Sequence, residues 1–155
     1  MRFKFFIVML LAMALNVSAK PVDSIPIKHV DSLLELSRLA SVDMDTYKSV
    51  EYAVDALRNS RAIDYQFGLL RSNHYIGQML FYNGNFDESL KYLADGESLE
   101  IAKDNPQILS QILKVKGQIY YSLELIDNSV KEYRKAAKYA GKIQPKSASD
   151  YVLSQ

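Results

Sequence analysis

Asp43-Met44-Asp45-Thr46 has the form of an aspartyl-nucleophile motif for phosphoryl transfer. That chemistry needs a buried strand in front of the first aspartate. Helical spacing surrounds the motif instead, so a turn with Asp45 or Thr46 as N-cap is expected. Asn83, Asn85 and Asp87 alternate like the opening of a calcium loop, but no acidic residue closes the set at the right distance. A tight turn with Asn85 as N-cap accounts for them. His29 and His74 are the only histidines and lack the His-x-x-x-His spacing that puts two ligands on one helix face. With no cysteine, disulfides, thiolate metal sites and cysteine nucleophiles are excluded. Neither a Ser-His-Asp set nor a glycine-rich phosphate loop is present. The expectation is no catalytic residue, no metal and no cofactor.

The chain has 155 residues, 48% hydrophobic and 24% charged, with a formal net charge of +1. Those values suit one folded domain and give no global attraction to nucleic acid. Lys131, Arg134, Lys135, Lys138 and Lys142 form a basic stripe that reads as a solvated helix face. Lys138 and Lys142 also suit a helix C-terminus. At the other end Arg2 and Lys4 precede the apolar run Phe5 to Leu15, and Val17-Ser18-Ala19 offers small residues for cleavage before Lys20. Residues 1–19 read as a signal peptide cleaved after Ala19, because the run is short for a membrane span of roughly 20 residues. An uncleaved anchor is the alternative. Losing Arg2 and Lys4 takes the formal charge to −1, and an exported, periplasmic or secreted chain without membrane insertion is expected.

The elements that would position any site are helices. Residues 20–28, with Pro21 and Pro26, read as an extended lead-in. From His29, Val30, Leu33, Leu34, Leu36 and Ala40 keep helical spacing, and Val50, Ala53, Val54 and Leu57 mark a second helix. A third is expected from Tyr65 to Tyr82, and a fourth from Phe86 to Lys103, stopped by Pro106. The fifth and sixth run from Gln107 to Leu123 and from Asp127 to Lys142. Residues 144–155 begin a further helix or truncated repeat. No stretch alternates with period two, so the class is all-α.

A shift of forty residues superposes Ser37, Gly77 and Gly117; Ser49, Ser89 and Ser129; and Ala56, Gly96 and Ala136. All nine are small, as required where two helix axes approach closely. Val50, Leu90 and Val130 coincide as apolar positions between them. On Gly77, Leu80, Gly84, Phe86, Ser89, Leu93 and Gly96, and again on Gly117, Tyr120, Ile126, Ser129, Tyr133 and Ala136, the chain resembles the tetratricopeptide repeat family. The resemblance covers roughly residues 30 to 143 and is weakest in the first unit. Asn73 and Leu113 replace the family's early aromatic, and Lys116 stands where an apolar residue is usual. The period of forty exceeds the usual ~34 residues. It is similar to the longer repeats of bacterial sensors and signal-transduction regulators.

The resemblance implies a right-handed α-solenoid of about three helix-turn-helix repeats over residues 29–143. It also implies a groove lined by the first helix of each hairpin. Carried over position by position, the groove residues are Arg71, His74, Gln78 and Tyr82, then Gln111, Lys114, Gln118 and Tyr121. A cation with an amide one turn away can hold a carboxylate or the backbone of an extended peptide, although a solvated helix face has the same spacing. The expected function is an exported, non-catalytic scaffold for a protein or peptide ligand. The alternative is an N-terminal extracytoplasmic sensor segment of a larger receptor or membrane-anchored transcription regulator. Self-association is expected at the C-terminal end, where Val152 and Leu153 leave apolar residues on an incomplete helix.

Overall fold

The computed structural model describes residues 27–143, and every regular element among them is helical. The α-helices are α1 (Ile27–Val42), α2 (Thr46–Ala62), α3 (Gln66–Tyr82), α4 (Phe86–Ser98), α5 (Pro106–Ser122) and α6 (Ile126–Ala140). A 3-10 turn, Glu100–Asp104, links α4 to α5. The cleavage motif, residues 20–26 of the lead-in, and Val152 and Leu153 lie outside the described residues.

From α2 onward a new helix starts every twenty residues. The joints explain the cadence. Met44, Asp64, Gly84 and Glu124 all adopt positive φ, between 51° and 79°. The next residue in each case returns its N–H to a carbonyl five residues back: Asp45 to Ala40, Tyr65 to Ser60, Asn85 to Leu80 and Leu125 to Tyr120, each at 2.9 Å. This left-handed C-cap satisfies carbonyls that a helix end leaves free. The same returning residue is the N-cap of the following helix. Asp45 uses its side chain there, accepting from the Lys48 N–H at 3.1 Å, which holds its carboxyl below the usual range. Asn85 takes the cap position without a side-chain cap bond, contrary to expectation.

The phosphoryl-transfer motif is therefore a helix-helix turn. The expected fourth helix is also corrected: α4 stops at Ser98, and Leu99 turns extended at ψ 134°. Leu99, Ile101 and Ala102 then all pack on the core cluster around Leu109, Ile112 and Leu113. A continuous helix would place residues 99 and 101 on nearly opposite sides. Helix α1 starts at Ile27 rather than His29.

Packing joins each helix to its chain neighbours, and α1 with α3 and α3 with α5. Among the described residues the backbones of α2, α4 and α6 stay apart, and α4 meets α6 only through side chains, where Lys135 comes within 3.7 Å of Glu97. The odd-numbered helices thus form an inner row. Within each hairpin one hydrogen bond recurs. The hydroxyls of Ser49, Ser89 and Ser129 donate to the carbonyls of residues 37, 77 and 117 at 3.0, 2.6 and 2.9 Å. All nine superposed small residues are buried. A Cβ added to Gly77 would meet Leu93 at 2.6 Å, and one added to Gly117 would meet the Tyr133 ring at 3.0 Å.

Lys116, forty residues on from the buried Ile76, is matched by charge. Its Nζ lies 2.5 Å from Glu97 and 3.7 Å from Glu132, and Lys135 reaches Glu132 at 3.0 Å. Four charges on three helices thus neutralise one another at the register where Ile76, forty residues earlier, makes hydrophobic contact. Lys135 consequently leaves the solvated stripe, its pKa raised chiefly by the bond to Glu132. Leu36 and Val54, assigned to apolar faces, are exposed.

Candidate groove on the inner helix row

The inner row lines an open cavity of about 430 Å³. Helix α1 contributes Arg38 and Ser41, α3 contributes Arg71, His74, Tyr75 and Gln78, and α5 contributes Gln107, Ile108, Gln111, Lys114 and Val115. The side chains from α3 converge because 71, 74, 75 and 78 fall on one helix face. Those from α5 follow the same rule at 107, 108, 111, 114 and 115.

Five of the eight sequence-derived residues therefore meet in one cavity: Arg71, His74, Gln78, Gln111 and Lys114. Tyr82, Gln118 and Tyr121 are not among its lining residues. Tyr82 is exposed and its hydroxyl accepts from the Gln78 amide Nε2 at 3.4 Å, while Gln118 is half-buried and Tyr121 is exposed. Arg38 was missed, yet the forty-residue shift that pairs Gln78 with Gln118 places Arg38 at the same register of the first hairpin. Tyr75, Ile108 and Val115 carried no sequence signal beyond ordinary amphipathic spacing.

Electrostatically the lining is one-sided, with three cations and no carboxylate. Arg38 is paired with Glu35 at 2.6 Å, and the bond holds the Glu35 carboxyl below its usual range. Arg71 lies 3.7 Å from Asp31 and stacks near the rings of Phe67 and Tyr75, 5.7 and 6.0 Å from their centres. Its guanidinium is thereby oriented while keeping unused donors. The Tyr65 hydroxyl also donates to Asp31 at 3.1 Å, and burial with that carboxylate pushes the phenol upward. Lys114 is exposed and makes no ion pair among the described residues.

His74 is the unusual member. It is 5% exposed, tilted against Tyr75 with ring centres 5.3 Å apart, and its Nε2 has no hydrogen-bond partner. Burial first, then the charges of Lys114 and Arg71, push its pKa down to about 4. It is neutral at pH 7, with a buried ring nitrogen bordering the cavity. What the lining offers chemically is recognition. Guanidinium, ammonium and amide donors face one space, and apolar flanks from Ile108, Val115 and Tyr75 bound it.

Elsewhere among the described residues, no three of His, Asp and Glu converge on a metal-sized position. No described helix is long and apolar enough to cross a membrane. Compared with protein-family models, with curated proteins and with solved structures, the chain matches none.

Proposed function

We propose that the chain is an exported, non-catalytic repeat scaffold of the tetratricopeptide type, a right-handed α-solenoid of three hairpins. Its inner groove holds an extended peptide bearing a carboxylate. The observation that carries this reading is the cavity shared by α1, α3 and α5, where Arg38, Arg71 and Lys114 meet Gln78, Gln107 and Gln111 without an acidic residue. A carboxylate gains charge-assisted hydrogen bonds from such donors, and the amides suit a peptide backbone beside it. The repeat reading is supported by the twenty-residue cadence of helix starts and by the Ser-to-carbonyl bond found in all three hairpins. Export rests on Arg2, Lys4, the run Phe5 to Leu15 and the Val17-Ser18-Ala19 motif.

Fluorescence anisotropy with a panel of extended hexapeptides, acidic, basic and neutral, tests the groove. Acidic members should bind best, with affinity falling as salt rises. Lys114→Ala removes an exposed charge without disturbing packing. It should weaken acidic peptides by about tenfold, the loss expected for one charge-assisted hydrogen bond. Equal binding of acidic and basic peptides, or an unaffected Lys114→Ala protein, counts against the reading.

A further inference from the structure

Both ends of the helix stack expose apolar side chains at positions whose counterparts inside the stack are covered. At the start, Leu36 and Leu39 on α1 are 43% and 45% exposed. Forty residues on, Ile76 and Met79 are 1% and 3% exposed, and Ile76 packs with Ala53 and Leu57 of the preceding helix. At the other end Tyr121, Ile126 and Tyr133 are exposed. Their counterparts Phe81, Phe86 and Leu93 all belong to the core cluster shared with the next hairpin.

The two internal joints also share one contact register. Leu57 meets Ile76 in one hydrophobic cluster, and Glu97 meets Lys116 as an ion pair, each forty residues from the other. The next step of that register falls on Ala137 at one end and Leu36 at the other. Both are exposed, and both are apolar. In the register of the two internal joints, each end of the described stack presents one side of such a joint.

We propose that a second copy of this chain docks head to tail. Tyr121, Ile126, Tyr133 and Ala137 of one copy cover Leu36 and Leu39 of the next, with Ala137 against Leu36. Such a contact is heterologous and leaves a free end on each side, so association continues past the dimer. It rests on the repeat reading above and is independent of the groove.

Sedimentation velocity of the purified chain over a wide concentration range should show a mass that climbs beyond two copies. Leu36→Glu and Ala137→Glu each spoil one end, so either variant alone should remain a single chain. Mixed together they retain one intact joint and should form a one-to-one pair that grows no further. Circular dichroism checks that both variants fold. The Leu36→Cys/Ala137→Cys chain, otherwise free of cysteine, should give a ladder of disulfide-linked oligomers on oxidation.

A chain monomeric at every concentration overturns the proposal, whether nothing covers the ends or the chain's own residues 144–155 do. So does a symmetric dimer that one Glu variant keeps, or a variant mixture that stays monomeric. Lys114→Ala should associate normally, and the end variants should bind peptide normally. Failure at the ends is thereby distinguished from failure of the groove.

Discussion

Burial keeps the imidazole of His74 neutral, and that has a measurable consequence for pH dependence. Its folded pKa, about 4, lies below the ordinary value of 6.5. Between those values the unfolded chain binds the proton and the folded chain does not. The contribution is complete above pH 6.5 and is lost as pH falls toward 4. By linkage the full loss is about 3 kcal/mol. Urea unfolding at pH 7 and pH 4.5 should show a larger drop for the parent chain than for His74→Leu, which cannot take up the proton. Equal drops would sink this account of His74. The groove was partly legible at this scale. Arg71, Gln78, Gln111 and Lys114 follow from the repeat resemblance carried over position by position, which spacing alone does not give. Arg38 does not stand out, because the residues forty and eighty further on are glutamines and the first unit keeps the pattern least well.

Close approach of helices sets what each hairpin tolerates. Gly77 has no room for a methyl group, with Leu93 2.6 Å from the position a Cβ would take and the Ser89 carbonyl at 3.3 Å. Gly77→Ala should therefore cost about 1–3 kcal/mol through overpacking. Ser89→Ala removes only the hydroxyl bond to the Gly77 carbonyl, for about 1 kcal/mol or less. Denaturant titration should rank them in that order, and a Ser89→Ala protein less stable than Gly77→Ala would contradict the packing argument. These elements were well announced by sequence, since small residues at a fixed interval encode axis separation directly. The break at Leu99 was not. It depends on α5, whose core draws Leu99, Ile101 and Ala102 to one side, and no local signal at residues 96–104 records that distant surface. Lys116 likewise makes sense only beside Glu97 and Glu132, which belong to two other helices.

At the scale of the molecule, the apolar core of the described residues is unevenly distributed. The large cluster joins α3, α4, α5 and α6, whereas α1 is held by a smaller one of Val30, Leu34 and Ala56 with partly buried neighbours. In a stack whose units contact only their neighbours, local opening should begin where the interface is poorest. Native-state hydrogen exchange should thus give α1 amides a lower opening free energy than those of α5, while uniform protection would refute this division. The all-helical class was readable from periodicity because every long apolar pattern repeats at three and four residues. Exposure at Leu36 and Leu39 was not, since a single chain's pattern does not reveal which apolar face lacks a neighbour.

The backbone at Asp45, Tyr65, Asn85, Asn105 and Leu125 has nearly the same shape, with φ from −83° to −120° and ψ from 66° to 90°. Positions forty residues apart are therefore interchangeable splice points. Cutting after Tyr65 and resuming at Pro106 would rejoin chain to chain in phase, with one hairpin fewer. Duplicating the same span would add one. The length of the helix stack is then a quantity that unequal recombination can alter in whole hairpins, and on the proposed peptide-binding reading the span of ligand held would change with it.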